Sequence, residues 1–170
     1  MVNIFYLDHD TNICAKLHVD KHVVKMILES CQMLCTAWHV TDPDHTIYKP
    51  PYKLAFKNHP CTKWVRDSTQ NYEWLCSLGL ELCKEYTYRY GKIHTTQKHI
   101  EELSKNIPPI PEIGFTKPNQ AMPDIYKDDD SIAAYHHYYF FDKQHIHSWK
   151  GKIAGREIPQ FIIDFKNMFE

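Results

Sequence analysis

The chain has 170 residues, a formal net charge of −1 with its 12 histidines neutral, and 43% hydrophobic residues. That length suits one domain with a substantial core, since a chain of about 150 residues buries roughly 70% of its unfolded surface. The charge excludes a broadly basic surface at pH 7, so any nucleic-acid contact has to be local, although protonating the histidines would turn the surface positive.

The start, MVNIFYLDHD, has no basic stretch and only a short apolar run, and nowhere do 18 apolar residues follow one another. Neither a signal peptide nor a membrane span is expected. Asn3 to Leu7 reads as a short strand or an extended plug, with Asp8, Asp10 or Thr11 capping the helix that follows.

Residues 11–40 read as one long helix. At about 100° per residue, His18, Lys21, His22, Lys25, Glu29, Gln32, Thr36 and His39 fall in a sector roughly 100° wide, and nearly all else is apolar. Such a helix is mostly buried, and its polar stripe either faces water along one edge or lines a cleft. Asp20 breaks the pattern by pointing about 200° from His18, among Leu17, Val24, Ile27, Cys31 and Trp38. A carboxylate there needs a partner, because leaving it buried and unpaired costs several kcal/mol. An arginine, a lysine or several backbone N–H groups of another segment would serve; of the three arginines, Arg66, Arg89 and Arg156, Arg66 is the preferred partner, with Asp20 as a structural anchor.

Residues 41–60 read as a loop with four prolines, ending at Asn58 and His59, where Pro60 suits the first turn of a second helix. That helix runs to about Tyr90, with Gly91 as its C-terminal cap. A short polar helix follows at about 95–105. It feeds a segment with five prolines, IPPIPEIGFTKPNQAMPDIYK, whose Ile, Phe and Met content argues for an ordered loop laid over the core. Asp130 or Ser131 caps a fourth helix, SIAAYHHYYFFDKQHIHSW, and a last helix starts near Pro159. The expected fold is all-α: a single domain over 1–170, with about five helices around the long first one. The six cysteines look like small apolar core residues; they form no CxxC pair and suit a reducing compartment.

Histidine spacing calls for a metal test. His18 and His22 are i, i+4, as in helical zinc sites, but valine stands where HExxH has its glutamate, and Lys21 and Lys25 would repel a cation. No metal and no cofactor is therefore expected. Acid–base chemistry on an anionic substrate fits better. His18, His22 and Glu29 are the candidate proton-transfer groups, and Lys25 is the candidate amine nucleophile of a Schiff-base mechanism. Lys21, Asn58, His59, Lys63 and Arg66 are candidates for holding phosphate and closing the cleft. Arg89, Tyr90 and Lys92 extend this set where cations and rings interleave along the second helix, a pattern that suits stacked bases. Core packing explains the same rings equally well. Gln120 and Met122 would cover the cleft.

The segments NIFYLD, HVDKHVVKMILE, KNHPCTKWVR, NYEWL, EYTYRYGKIH, QAMPDIYK, YYFFDK and REIPQF resemble a family of small uncharacterised proteins of tailed bacteriophages and large DNA viruses. The resemblance spans nearly the whole chain. It implies a viral setting, in the cytoplasm or nucleus of an infected cell, and a role near nucleic-acid or nucleotide metabolism. It singles out His18, Asp20, Lys21, His22, Lys25, Asn58, His59, Arg66, Tyr90, Gly91, Lys92 and Gln120 without giving any of them a role. The leading expectation is an enzyme acting on a nucleotide or on a base in nucleic acid, by His/Lys acid–base or lysine-nucleophile chemistry. The alternative is a non-catalytic helical protein that captures a nucleotide-like ligand or a host protein.

Overall fold

The structure, a computed structural model, describes residues 2–170. It is all-helical, with no strand among the described residues. Residues 2–7 run extended and buried, so they form the plug and not the strand. Asp10 caps α1 (Thr11–Leu17) by accepting from the Asn12 and Ile13 N–H groups.

The long first helix is two helices. His18 and Val19 adopt extended backbone (ψ 137° and 155°), and α2 (Asp20–Thr41) starts afresh after them. Neither residue is a helix breaker, so the cause lies elsewhere in the chain. Arg89 Nη1 and Nη2 donate to the His18 and Lys16 carbonyl oxygens at 2.8 and 2.9 Å, and Trp149 Nε1 donates to the Leu17 oxygen at 2.8 Å. The Asp20 N–H donates to the Ser148 oxygen. These distant groups satisfy the backbone that a helix end leaves open.

The second helix also divides, into α3 (Pro60–Asp67) and α4 (Thr69–Tyr90), around an extended Ser68 whose hydroxyl accepts from the Asn71 N–H. Pro60 does occupy the first turn of α3, and Gly91 ends α4 in the left-handed region at φ 72°. The remaining helices are α5 (Gln97–Ser104), α6 (Ser131–Asp142) and α7 (Gln160–Phe169), with single 3-10 turns at Asp124–Tyr126 and Gln144–Ile146. Seven α-helices thus replace the expected five, and α6 stops seven residues before Trp149.

Helix α2 packs most extensively on α4, which also carries α1 and α5. Trp38, Trp64, Tyr72, Tyr135, Tyr139 and Phe140 fill the core. All six cysteines are free and buried within it. The proline-rich segment lies over this core as expected. Thr116 accepts from Trp64 Nε1 at its carbonyl and meets Asn71 at both backbone and hydroxyl, while Ala121 accepts from Asn3 Nδ2.

Candidate functional site

The break at His18 redirects the stripe. Lys21 and Lys25 are exposed on α2, whereas His22 and Glu29 are buried at its edge. Farther along, Thr36 exchanges hydrogen bonds with Ala55, and the His39 ring meets the Tyr52 carbonyl at 2.7 Å. The 42–59 loop therefore covers the far half of the stripe and leaves the near half open.

At the open end, Asn3, Phe5, His22, Lys25, Met26, Tyr138 and Lys143 line a narrow pocket of about 110 Å³. Lys25 Nζ stands 3.7 Å from Glu29 Oε1, with the lysine side chain 57% exposed and the glutamate side chain 9%. Glu29 Oε2 is buried and has no hydrogen-bond partner among the described residues. Burial raises the Glu29 carboxyl above its ordinary range, against the opposing pull of the Lys25 ammonium. A protonatable carboxyl beside an amine is the arrangement that proton transfer in a nucleophilic step requires.

His22 stacks on Phe5 at 4.1 Å, and its Nδ1 meets the Tyr139 hydroxyl at 2.7 Å. Burial, with the charges of His18, Lys143, Lys25 and His145 adding to it, pushes its pKa down to about 2. His22 is thus a neutral, oriented wall of the pocket and a poor proton acceptor. His18 is fully buried, its Nδ1 is bonded to the Cys14 carbonyl, and burial lowers its pKa to about 4. It does not line the pocket. The two rings lie 6.4 Å apart, and among the described residues no group of three His, Cys, Asp or Glu side chains is placed to hold a metal.

Asp20 meets an arginine, but that arginine is Arg89 and not Arg66: Nη1 lies 3.0 Å from Oδ1, and the Ser148 hydroxyl and Gly151 N–H donate to Oδ2. Arg89 is fully buried, pairs with Glu85 as well, and so is unavailable to a substrate. Arg66 donates to the Lys57 carbonyl at 2.8 Å and keeps Nη1 buried without a partner. His59 caps α3 by accepting the Cys61 N–H at its ring Nδ1, and the Cys61 thiol donates to Asn3 Oδ1. Asn58 and Lys63 are exposed near that end of α3, and Lys92 is exposed beyond α4. Tyr90 packs on Tyr86. The Gln120 side chain is tied to Asp128 at both its oxygen and its nitrogen, so it braces its own loop.

His22 and Lys25 therefore line the pocket and Glu29 stands beside Lys25 outside its lining, whereas Lys21, Asn58, His59, Lys63, Arg66, Tyr90, Lys92 and Gln120 do not line the pocket. Sequence reasoning missed Asn3, Phe5 and Lys143. A signal existed for Asn3, the one polar residue in the run VNIFYL.

A family model described as pyrimidine dimer DNA glycosylase matches residues 2–99. The chain belongs to this family. The match covers more than half of the chain and includes the whole of α2 and α3 and the buried plug, so all of the pocket except Tyr138 and Lys143 falls within it. No curated protein and no solved structure matches the chain. Membership in this glycosylase family places the chain among DNA base-excision enzymes. No helix among the described residues is long and apolar enough to cross a membrane.

Proposed function

We propose that this protein excises a damaged pyrimidine from DNA, in a viral setting, with the Lys25 amine as nucleophile and Glu29 as the proton-transfer group. One observation carries the assignment: a buried carboxyl lies 3.7 Å from the amine of a lysine that lines a polar pocket, and its second oxygen has no partner among the described residues. Family membership supports the substrate class. Lys25 Nζ gives its proton to the Glu29 carboxylate and attacks C1′ of the lesion nucleotide. The C1′–N bond breaks, its electron pair leaves with the base, and the base takes up a proton. Opening of the sugar ring then sends the C1′–O4′ pair to O4′, which is protonated, and leaves an imine between C1′ and Nζ. Neutral His22, stacked on Phe5, and Asn3 wall the pocket and keep the reacting amine oriented.

Borohydride reduction of such an imine links protein to DNA, so trapping on a duplex carrying a pyrimidine dimer tests the assignment directly. Wild type is expected to break the C1′–N bond of one dimer nucleotide, leaving that base tethered to its dimer partner, and to trap. Lys25→Ala should lose trapping, and Glu29→Gln should slow excision by about 10²- to 10³-fold while the circular-dichroism spectrum is kept. The wild-type rate should rise with pH as Glu29 deprotonates, on a limb shifted above the ordinary carboxylate range and absent in Glu29→Gln. Trapping that persists in Lys25→Ala moves the nucleophile to another amine and overturns the role of Lys25. A wild-type protein that excises nothing from damaged DNA overturns the activity.

A further inference from the structure

Lys143 follows α6, outside the family-matched residues, yet it lines the same pocket as Lys25, His22 and Asn3. Its side chain is only 20% exposed. The amine sits 4.8 Å above the centroid of the Tyr138 ring and 3.7 Å from Asp142 Oδ2, a separation at the outer edge of an ion pair. The Tyr138 face holds the stem and head in place without using up the ammonium's hydrogen-bond donors. Its positive charge reaches the pocket interior, where together with Lys25 and His145 it disfavours a proton on His22.

Two lysines converging on one small pocket repel each other, and the pocket lining itself contributes no carboxylate to separate them. Lys25 has Glu29 behind it, whereas Lys143 has, among the described residues, only the long contact to Asp142, whose side chain is 41% exposed and so partly screened by water. Such an arrangement is stabilised by an anion seated between the amines. In a duplex the available anion is the backbone phosphate, one of which flanks every sugar.

We infer that Lys143 is a substrate-positioning residue whose ammonium binds the DNA phosphate next to the nucleotide that enters the Lys25 pocket. The inference rests on the proposed excision reading for its substrate, but binding tests it apart from catalysis. A single lysine–phosphate contact adds about 0.9 to the slope of log K against log salt. Lys143→Gln should therefore lower that slope by about 0.9 on a dimer-containing duplex, raise KM by roughly 10-fold or more at fixed salt, and leave kcat within about twofold. Lys143→Arg should restore the slope. Lysine 98, exposed on α5, serves as a control whose replacement by Gln leaves the slope unchanged.

An unchanged slope in Lys143→Gln overturns the contact. Loss of borohydride trapping in Lys143→Gln with binding intact also overturns it, because Lys143 would then be the reacting amine. A wild-type protein that binds duplex with a Lys143-dependent slope but breaks no glycosidic bond retains this inference and refutes the excision reading. A protein with no affinity for DNA refutes both.

Discussion

The Arg89 guanidinium serves four acceptors from two stretches of chain: the Lys16 and His18 carbonyls and the Asp20 carboxylate in one, and the Glu85 carboxylate in the other. Replacing it with methionine fills much of the space but takes the guanidinium away from two carboxylates, which keep only Ser148, Gly151 and Arg156 as donors, and from two carbonyl oxygens. Arg89→Met is therefore expected to lose about 3–5 kcal/mol of stability, read as a lower urea midpoint at unchanged m. Arg156→Met provides the contrast, since Arg156 is partly exposed and touches Glu85 and the Tyr88 ring; it should lose about 1 kcal/mol or less. Equal losses at the two positions would refute the role given to Arg89. That Asp20 needs a partner, with an arginine among the candidates, was legible in the sequence, because an acidic side chain sits in an apolar helical run. Which arginine was not legible, because the direction of Asp20 was deduced from an unbroken helix and the choice depends on packing between residues 69 apart.

Element boundaries divide along the same line. Gly91 and Pro60 carry their own backbone preferences, so the end of α4 and the start of α3 could be read locally. The breaks at His18–Val19 and at Ser68 contain neither glycine nor proline, and are held by Arg89, Trp149 and Ser148 in one case and by a bond from Thr69 to the Pro111 carbonyl in the other. His22, Lys25 and Glu29 survived the error because all three lie beyond the first break, at i, i+3 and i+7 on α2. His18 did not, because the break takes it off that face and into the core. Gly91 supports a direct test at this scale. At φ 72° an added Cβ is disfavoured, and it would also come 2.6 Å from Ile153 Cδ1, the far end of an exposed side chain that can move aside. Gly91→Ala should therefore cost about 1–2 kcal/mol, nearly all of it from the left-handed backbone. Combining it with Ile153→Ala should recover little; full recovery would make steric contact the cause instead.

Protons connect these local facts to the behaviour of the whole molecule. Burial lowers the pKa of His18, His22, His59, His94, His136 and His147, so the fold holds six of its histidines below their ordinary value. In the unfolded chain each takes up a proton near pH 6.5. Between pH 6.5 and about 4 the unfolded state thus binds more protons than the native state, and stability falls as the pH falls. His18, titrating at about 4, contributes about 3 kcal/mol of that loss on its own. Glu29 acts with the opposite sign: its raised pKa means the native state takes up its proton at higher pH than the unfolded chain does, so acid relieves the cost of burying its charge. The histidines outnumber it, and net acid destabilisation is expected well above the pH at which ordinary carboxylates titrate. Urea unfolding at pH 7.0, 5.5 and 4.5 should show stability declining at each step. His18→Asn, which keeps a donor for the Cys14 carbonyl but cannot be protonated, should flatten the decline by about 1 kcal/mol per pH unit below 6. A wild-type stability that stays level from pH 7.0 to 4.5 would mean that the buried histidines reach their protons in the native state. The neutral His22 wall of the Lys25 pocket would then have to be abandoned along with the acid sensitivity.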